Sequence, residues 1–290
     1  MASPRIGFCL LSWTPNAAEL PLEVFRTLKA IGYDGVEIPI PNATPEDIRK
    51  IARMLDGAEL RSTALTVMPP GTNPVGDSAV EREAAIARIE AAVDLAHGLG
   101  ADTLVGPIHQ TLGAFTGSGA SELELARLAT FHRHAGDLAL HRNMRVAVEA
   151  MVRFECHLFN RFDDLAAYLR RLDHPGVTGL FDTFHANLEE SEPVEAMQRN
   201  LDQLGHFHVS ENDRGVPGRG HVPWTRYFDA LHHAGYEEWI TAEVFGRSDG
   251  EFAGRARVWR DLPPLLDVCA ETYAHIRKGM DAAAAAAFTE

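Results

Sequence analysis

The sequence predicts an α/β fold, a single (β/α)8 TIM barrel over residues 1–290, on three observations. Short apolar strand-like runs alternate with helical patterns eight times along the chain. The passages from helix into strand look alike: AIGYDGVEI, GLGADTLVG and HHAGYEEWI each end a helix at glycine and enter an apolar strand through a polar turn. At 290 residues the chain has the length at which α/β barrels fold as one domain. Eight such units favour a closed barrel, whose functional groups gather at the C-terminal strand ends. An open doubly wound sheet is the alternative, and no GxGxxG follows the first strand to support it.

Taken in order, the first strand is read at residues 6–13, IGFCLLSW. The helix PLEVFRTLKAIG follows, with Pro21 near its start and Gly32 past its end, the placement each backbone favours. The second strand is GVEIPI, with Glu37 inside it, and Pro45 opens the helix PEDIRKIARMLD. The third strand, RSTALTVM, ends at Pro69-Pro70. A loop leads from there to a long helix over residues 79–99, where Ile86, Ile89, Val93 and Ala96 recur at helical steps. The fourth strand is DTLVGPI. The Gly/Ser/Thr-rich loop after it is long for a βα connection, a length often tied to function. Ser121 and Glu124 form a capping box for the next helix. Strand RVAVEA, helix DDLAAYLRRLD, strand VTGLFD and a helix near residues 193–201 follow. Strand HFHVSE, a Gly-rich loop, helix TRYFDALHHAG, strand EWITAE and a last helix from about Leu262 complete the chain. Residues 279–290, GMDAAAAAAFTE, are expected to be a frayed tail.

Composition narrows the function. Hydrophobic residues make up 46% of the chain, with no apolar run of the ~18 or more residues that a membrane span needs. The N-terminal segment lacks the basic region and cleavage site of a signal peptide and reads as a strand. Three scattered cysteines with no CxxC argue against disulfides and fit a cytoplasmic protein. A formal net charge of −14 disfavours nucleic-acid binding, which needs clustered Lys and Arg.

The chemistry lies in strands five to eight. Glu149, Asp182, His208 and Glu243 end these strands, each about one βα unit from the next. A barrel would bring all four to one mouth. Any one alone reads as a helix cap or ion-pair member. Together they make an oxygen-rich set suited to Mn²⁺, Mg²⁺ or Co²⁺, and a cation would relieve the repulsion among three carboxylates. Glu155, His185 and Arg214 sit just beyond in the following loops. Each alone reads as a surface ion pair, but their shared position favours substrate contacts. His206 precedes His208 by two and is expected one layer deeper, as a packed, hydrogen-bonded histidine rather than a ligand. His109 and His221 are expected on loops over the mouth, touching substrate or solvent.

VEAMVRFE, LFDTFHANLEE, HFHVSENDRGVPGRGHVPW and WITAEVFG resemble the ketose 3-epimerases, which act on D-tagatose, D-allulose (D-psicose) or L-ribulose. These belong to the xylose-isomerase-like sugar isomerase/epimerase superfamily. The match is close over residues 146–246, and the rest agrees in length and unit order. The resemblance implies a divalent metal, commonly Mn²⁺, held by Glu149, Asp182, His208 and Glu243, with Glu149 and Glu243 also the acid/base pair. It implies that Glu155, His185 and Arg214 hold the O1–O2 end of a sugar, and that the protein is a homodimer or homotetramer. The first four strands are less typical. Ser12, Trp13, Met68, His109 and residues 110–119 would shape the pocket for the far end of the sugar.

The expected reaction is inversion at C3 of a free ketose. A metal bridging O2 and O3 would stabilise the enediolate left when the C3 proton departs, and a base on each face would exchange the proton. Four alternatives use other chemistry. An aldose–ketose isomerase shuttles a proton between C1 and C2. A keto-inositol dehydratase, or a 3-keto-glycoside epimerase or lyase, uses the same scaffold. An endonuclease of related barrel type is disfavoured by charge. A non-catalytic sugar-binding module would not need two facing ionisable carboxylates.

Overall fold

In a computed structural model, described for residues 3–247 and 250–287 and for all their side chains except 250–252, eight parallel strands close into a barrel in sequential order. The strands are β1 Arg5–Cys9, β2 Gly35–Pro39, β3 Arg61–Leu65, β4 Thr103–Gly106, β5 Arg145–Glu149, β6 Val177–Asp182, β7 Leu204–Val209 and β8 Trp239–Ala242. The helices are α1 Leu22–Ile31, α2 Pro45–Ala58, α3 Ala79–Gly98, α4 Glu122–Leu140, α5 Phe162–Leu172, α6 Thr183–Glu189, α7 Pro193–Arg199, α8 Trp224–His233, α9 Gly250–Ala256 and α10 Leu265–Ala286. No helix among the described residues is long and apolar enough to cross a membrane.

Local chemistry sets several boundaries. Ser121 and Glu124 cap each other's backbone at the start of α4, and Thr44 with Asp47 does the same for α2. Gly32 ends α1 at φ 125°, a conformation that glycine adopts without steric cost. Several features differ from the sequence expectation. The first strand stops at Cys9, because Leu10–Ser12 turns into a short 3₁₀ helix. The third stops at Leu65, and Met68 then makes an isolated bridge to Thr111. Two helices, α6 and α9, were not expected. α10 runs through Ala286 with Met280 and Ala283 buried, so packing carries regular helix well into the stretch expected to fray.

The barrel's two ends are built differently. At the N-terminal end, Arg5 pairs with Asp102 and Glu238, and Arg145 Nη2 reaches Glu238 Oε1 at 2.5 Å. The Trp239 indole donates to Asp102 Oδ1 at 2.9 Å and lies under the Arg5 guanidinium, 4.7 Å from it. Gly7 and Gly35, paired across β1 and β2, leave room for that ring. One side of the interior is apolar, formed by Cys9, Leu65, Val105, Ala147 and Leu180. The other carries Glu37, Thr63, His206, His208 and Thr241, all fully buried. A register shift in β6 between Gly179 and Leu180 sets Asp182 level with His208.

A Cβ at Gly35 would lie 2.5 Å from both the Arg61 carbonyl oxygen and the Trp239 ring. Gly35→Ala is therefore expected to destabilise the barrel by about 1–3 kcal/mol through overpacking, seen as a lower urea midpoint at unchanged m-value.

Candidate active site

The four strand-end residues converge at the C-terminal mouth. Glu149 and Asp182 are the last residues of β5 and β6, His208 lies near the end of β7, and Glu243 follows β8 directly. All four are buried. Ligand atoms of Glu149, Asp182 and His208 lie within 4.8 Å of one another, a grouping that could hold a metal ion. Glu243 stands outside that triad but near it, with Oε1 3.8 Å from His208 Nδ1. Its Oε2 accepts from Arg214 Nη1 at 2.6 Å, and the same nitrogen lies 3.3 Å from Asp182 Oδ2. The guanidinium thus neutralises part of the acid cluster. His208 Nδ1 is 3.6 Å from Asp182 Oδ2 but has no hydrogen-bond partner, so a buried lone pair or proton faces the carboxylates. Three carboxylates and one imidazole match the donor set preferred by hard or borderline divalent cations.

Asp182 has a second job. Its Oδ1 accepts the Phe184 N–H at 2.6 Å and caps α6, leaving Oδ2 for the cluster. α6 then places His185 beneath the mouth. His185 Nδ1 accepts the Val152 N–H at 3.2 Å, while Nε2 lies 3.5 Å from Glu149 Oε1 and 3.1 Å from Arg214 Nη2. Glu155 is half-buried in the β5–α5 loop, where burial raises its carboxyl and the charge of Arg214 opposes the rise. The structure therefore brings Glu155, His185 and Arg214 to the same mouth as the strand-end residues.

Charge explains the titration of the cluster. Burial, followed by the charge of Glu243, pushes Glu149 well above the usual carboxylate range. Burial also raises Glu243, to about 7, against the pull of Arg214 and His208. Burial would raise Asp182 too, but Arg214 and His208 hold it below its ordinary value. His185 is lowered to about 3 by burial and by Arg214. His208 is raised despite burial, because Glu37, Asp182 and Glu243 all favour positive charge there. A site that stabilises an imidazolium also suits a bound cation.

Arg214 reaches the mouth through an unusual backbone. Its φ is 63°, a region that non-glycine residues rarely occupy, and its guanidinium lies over the rings of Phe184 and Phe245, at 3.9 and 5.2 Å. Glu211 holds the loop. It accepts the N–H groups of Asn212, Gly218 and Val222 and the Trp224 indole N–H, all at 2.8–3.1 Å. Gly220 passes so close that a Cβ would sit 2.4 Å from Glu211 Oε1.

The earlier half of the barrel departs further from expectation. His109 is fully buried with its ring on Phe159 at 5.6 Å, and neither ring nitrogen has a partner. Burial lowers it to about 3 and keeps it neutral, so it is not a solvated side chain above the mouth. Trp13 is half-buried with its edge on Phe8, and Met68 is buried. No hydrogen bond or ion pair joins Trp13, Met68 or His109 to the acid cluster among the described residues. Ser12 donates to the Val244 carbonyl at 2.6 Å, tying β1 to the β8 exit. Gln110 Oε1 accepts from His157 N and Leu158 N at 3.1 Å, which ties the β4 and β5 loops together. His221 is exposed.

Sequence reasoning assigned no role to Glu37. It is fully buried, with Oε1 3.1 Å from His208 Nε2, Oε2 3.2 Å from His206 Nε2, and Thr63 Oγ1 donating to Oε2 at 3.0 Å. The two imidazole contacts lie off the ring N–H axes, so they are ion-pair contacts rather than aligned hydrogen bonds. Burial opposes its charge, yet the two histidines hold its carboxyl well below the usual range. The available signal was a carboxylate at an inward position of an otherwise apolar strand. His206 is packed one layer below His208, with ring centroids 5.0 Å apart, as its spacing predicts, but neither of its ring nitrogens makes the expected hydrogen bond.

The Glu211 carboxyl is held low by its four donors, which outweigh burial. Its contribution to stability is therefore complete above the unfolded carboxylate pKa of about 4.3 and is lost as pH falls through the lower folded value. Glu211→Gln is expected to cost about 1–3 kcal/mol at neutral pH. In urea titrations at several pH values, the gap to wild type should narrow on acidification below about pH 4.

Comparison with known proteins agrees with the barrel fold. A probable ketose 3-epimerase from Synechocystis sp. is 28% identical over 93% of this chain and 95% of its own length. An L-ribulose 3-epimerase from Methylomonas sp. is 27% identical over 80% of this chain and 81% of its own. Among solved structures, D-allulose 3-epimerase from Methylomonas sp. in complex with D-allulose superposes with a TM-score of 0.86 at 26% identity, covering 96% of this chain and 98% of that one. Residues 25–285 match the family described as xylose isomerase-like TIM barrel, and the chain belongs to that family.

Proposed function

We propose that this protein is a divalent-cation-dependent epimerase that inverts C3 of a free ketose of the D-tagatose, D-fructose, D-allulose or L-ribulose type. The observation that carries this reading is the pair Glu149 and Glu243. Both are buried carboxylates raised above their ordinary range, at the two ends of the β5–β8 arc, flanking Asp182 and His208. Inversion needs one group to take a proton from C3 and another to return one to the opposite face. Two raised carboxylates can divide that work: one ionised as base, one protonated as acid.

The names of the relatives point to the same chemistry. Glu149, Asp182, His208 and Glu243 would hold the cation, with Mn²⁺ favoured and Co²⁺ or Mg²⁺ alternatives. When bound, it would supply electrophilic polarisation of the C2 carbonyl. Arg214 supplies fixed positive charge beside Glu243 and Asp182, and is placed to donate to a sugar oxygen. His185 is neutral near pH 7, so it can donate or accept without adding charge, and Glu155 accepts a sugar hydroxyl at the rim. Trp13, Met68 and His109 then act by shaping the wall for the far end of the sugar, and Gln110 by holding the loops that form it. Homodimeric or homotetrameric assembly and a cytoplasmic setting complete the reading, the latter in keeping with three free, buried thiols.

The test is a ketose panel incubated in D₂O with Mn²⁺ and read by NMR. Deuterium at C3 with formation of the C3 epimer is expected. Label at C1 or C2, an alkene, or a released aglycone would replace the epimerase reading with isomerisation or elimination. Glu149→Gln and Glu243→Gln are each expected to abolish C3–H exchange while leaving circular dichroism unchanged. Normal turnover by either variant would refute the two-base assignment.

A further inference from the structure

We infer that Glu37 is a positioning residue, which orients the His208 imidazole so that Nδ1 is the atom presented to a cation at the barrel mouth. The inference rests on the cation reading of the site above and extends it to a residue outside the four strand-end groups. Glu37 comes from β2, level with Cys9 of β1 and Thr63 of β3, on a different part of the barrel wall from β7. Its side chain reaches into the polar side of the interior, below the mouth, with no solvent exposure.

A carboxylate is expensive to bury without compensating partners. Among the described residues no lysine or arginine bonds to it, and the groups near it are His206, His208, Thr63, the Cys9 thiol and the Glu243 carboxylate. Each oxygen meets one imidazole: Oε1 lies 3.1 Å from His208 Nε2, and Oε2 3.2 Å from His206 Nε2. The Thr63 hydroxyl donates to Oε2 at 3.0 Å and fixes the plane of the carboxylate. His206, packed edge-on against His208, occupies the second oxygen.

The consequence concerns the two ring nitrogens of His208. Nε2 faces an anion below, and Nδ1 faces Asp182 and Glu243 above, at 3.6 and 3.8 Å. A neutral imidazole carries one proton, and a cation held on the Nδ1 side leaves that proton to Nε2, the nitrogen beside Glu37. With the proton on Nε2, the Nδ1 lone pair points at the acid cluster. A carboxylate at the nitrogen away from the cation fixes the tautomer of a ligating histidine and raises its basicity, and Glu37 Oε1 stands at that nitrogen at ion-pair distance rather than in an aligned hydrogen bond. Glu37 also adds one buried negative charge close to the site, and so favours a cation there.

Mn²⁺ affinity is measured by calorimetry on the wild type and on Glu37→Gln, with thermal melts of both metal-free proteins. The expected result is binding weakened about 10- to 100-fold, with a metal-free melting temperature close to that of wild type. Unchanged Mn²⁺ affinity in a folded variant overturns the inference and leaves Glu37 a core residue. Failure of the wild type to bind Mn²⁺ overturns the cation reading and this inference with it. Should Glu37→Gln not fold, the wild type decides alone. Long-range ¹H–¹⁵N spectra of histidine-labelled, Mg²⁺-loaded protein are expected to show His208 protonated at Nε2, and a proton on Nδ1 overturns the proposal.

Discussion

Charge balance at the barrel mouth governs this structure. Glu37, Glu149, Asp182 and Glu243 are all buried, and so many carboxylates cannot share one enclosed space as anions without compensation. Two compensating groups come from opposite directions. Arg214 enters from the loop after β7 and bonds Glu243 and Asp182. His208 enters from the barrel wall, between Asp182 above and Glu37 below. What remains uncompensated appears as the raised carboxyls of Glu149 and Glu243. Those are the two groups that a proton-transfer role requires to change charge.

Supporting structure is spent on holding these compensating charges in place. The left-handed backbone at Arg214 is a strained conformation for a non-glycine residue. It is maintained by the four donors gathered on Glu211 and by the Phe184 and Phe245 rings against the guanidinium. Thr183 ties β6 to β7 by accepting the Ser210 N–H and donating to the Ser210 carbonyl. The opposite end of the barrel is closed by ion pairs around Trp239, so stability and chemistry occupy different ends.

Particular residues show how far the chain could be read in advance. The eight units and the convergence of Glu149, Asp182, His208 and Glu243 followed from periodicity and spacing, because a barrel brings every strand end to one rim. α6 was missed because TFHANLEE, the stretch after Asp182, is polar and short, and its start depends on Asp182 serving as cap and cluster member together. The placement of His109 was misread for a related reason. A histidine after a strand reads as a loop residue, whereas the Phe159 ring and the neighbouring loops enclose it completely. Glu37 was visible as a charge inside a strand, but its partners lie on β3 and β7.

The sequence by itself determined the barrel and the residues at its mouth. Both depend on repeats that are local or nearly so: apolar strands, helix caps, and a polar residue where each strand stops. Only the tertiary structure decided how those residues divide their work. Which oxygen of Asp182 caps a helix, which nitrogen of His208 faces the acids, and which carboxylate takes Arg214 depend on distances of a few ångströms between distant segments. Those distances come from strand register, the shift in β6 and the loop built on Glu211, and electrostatic energy in a buried site is steep over that range.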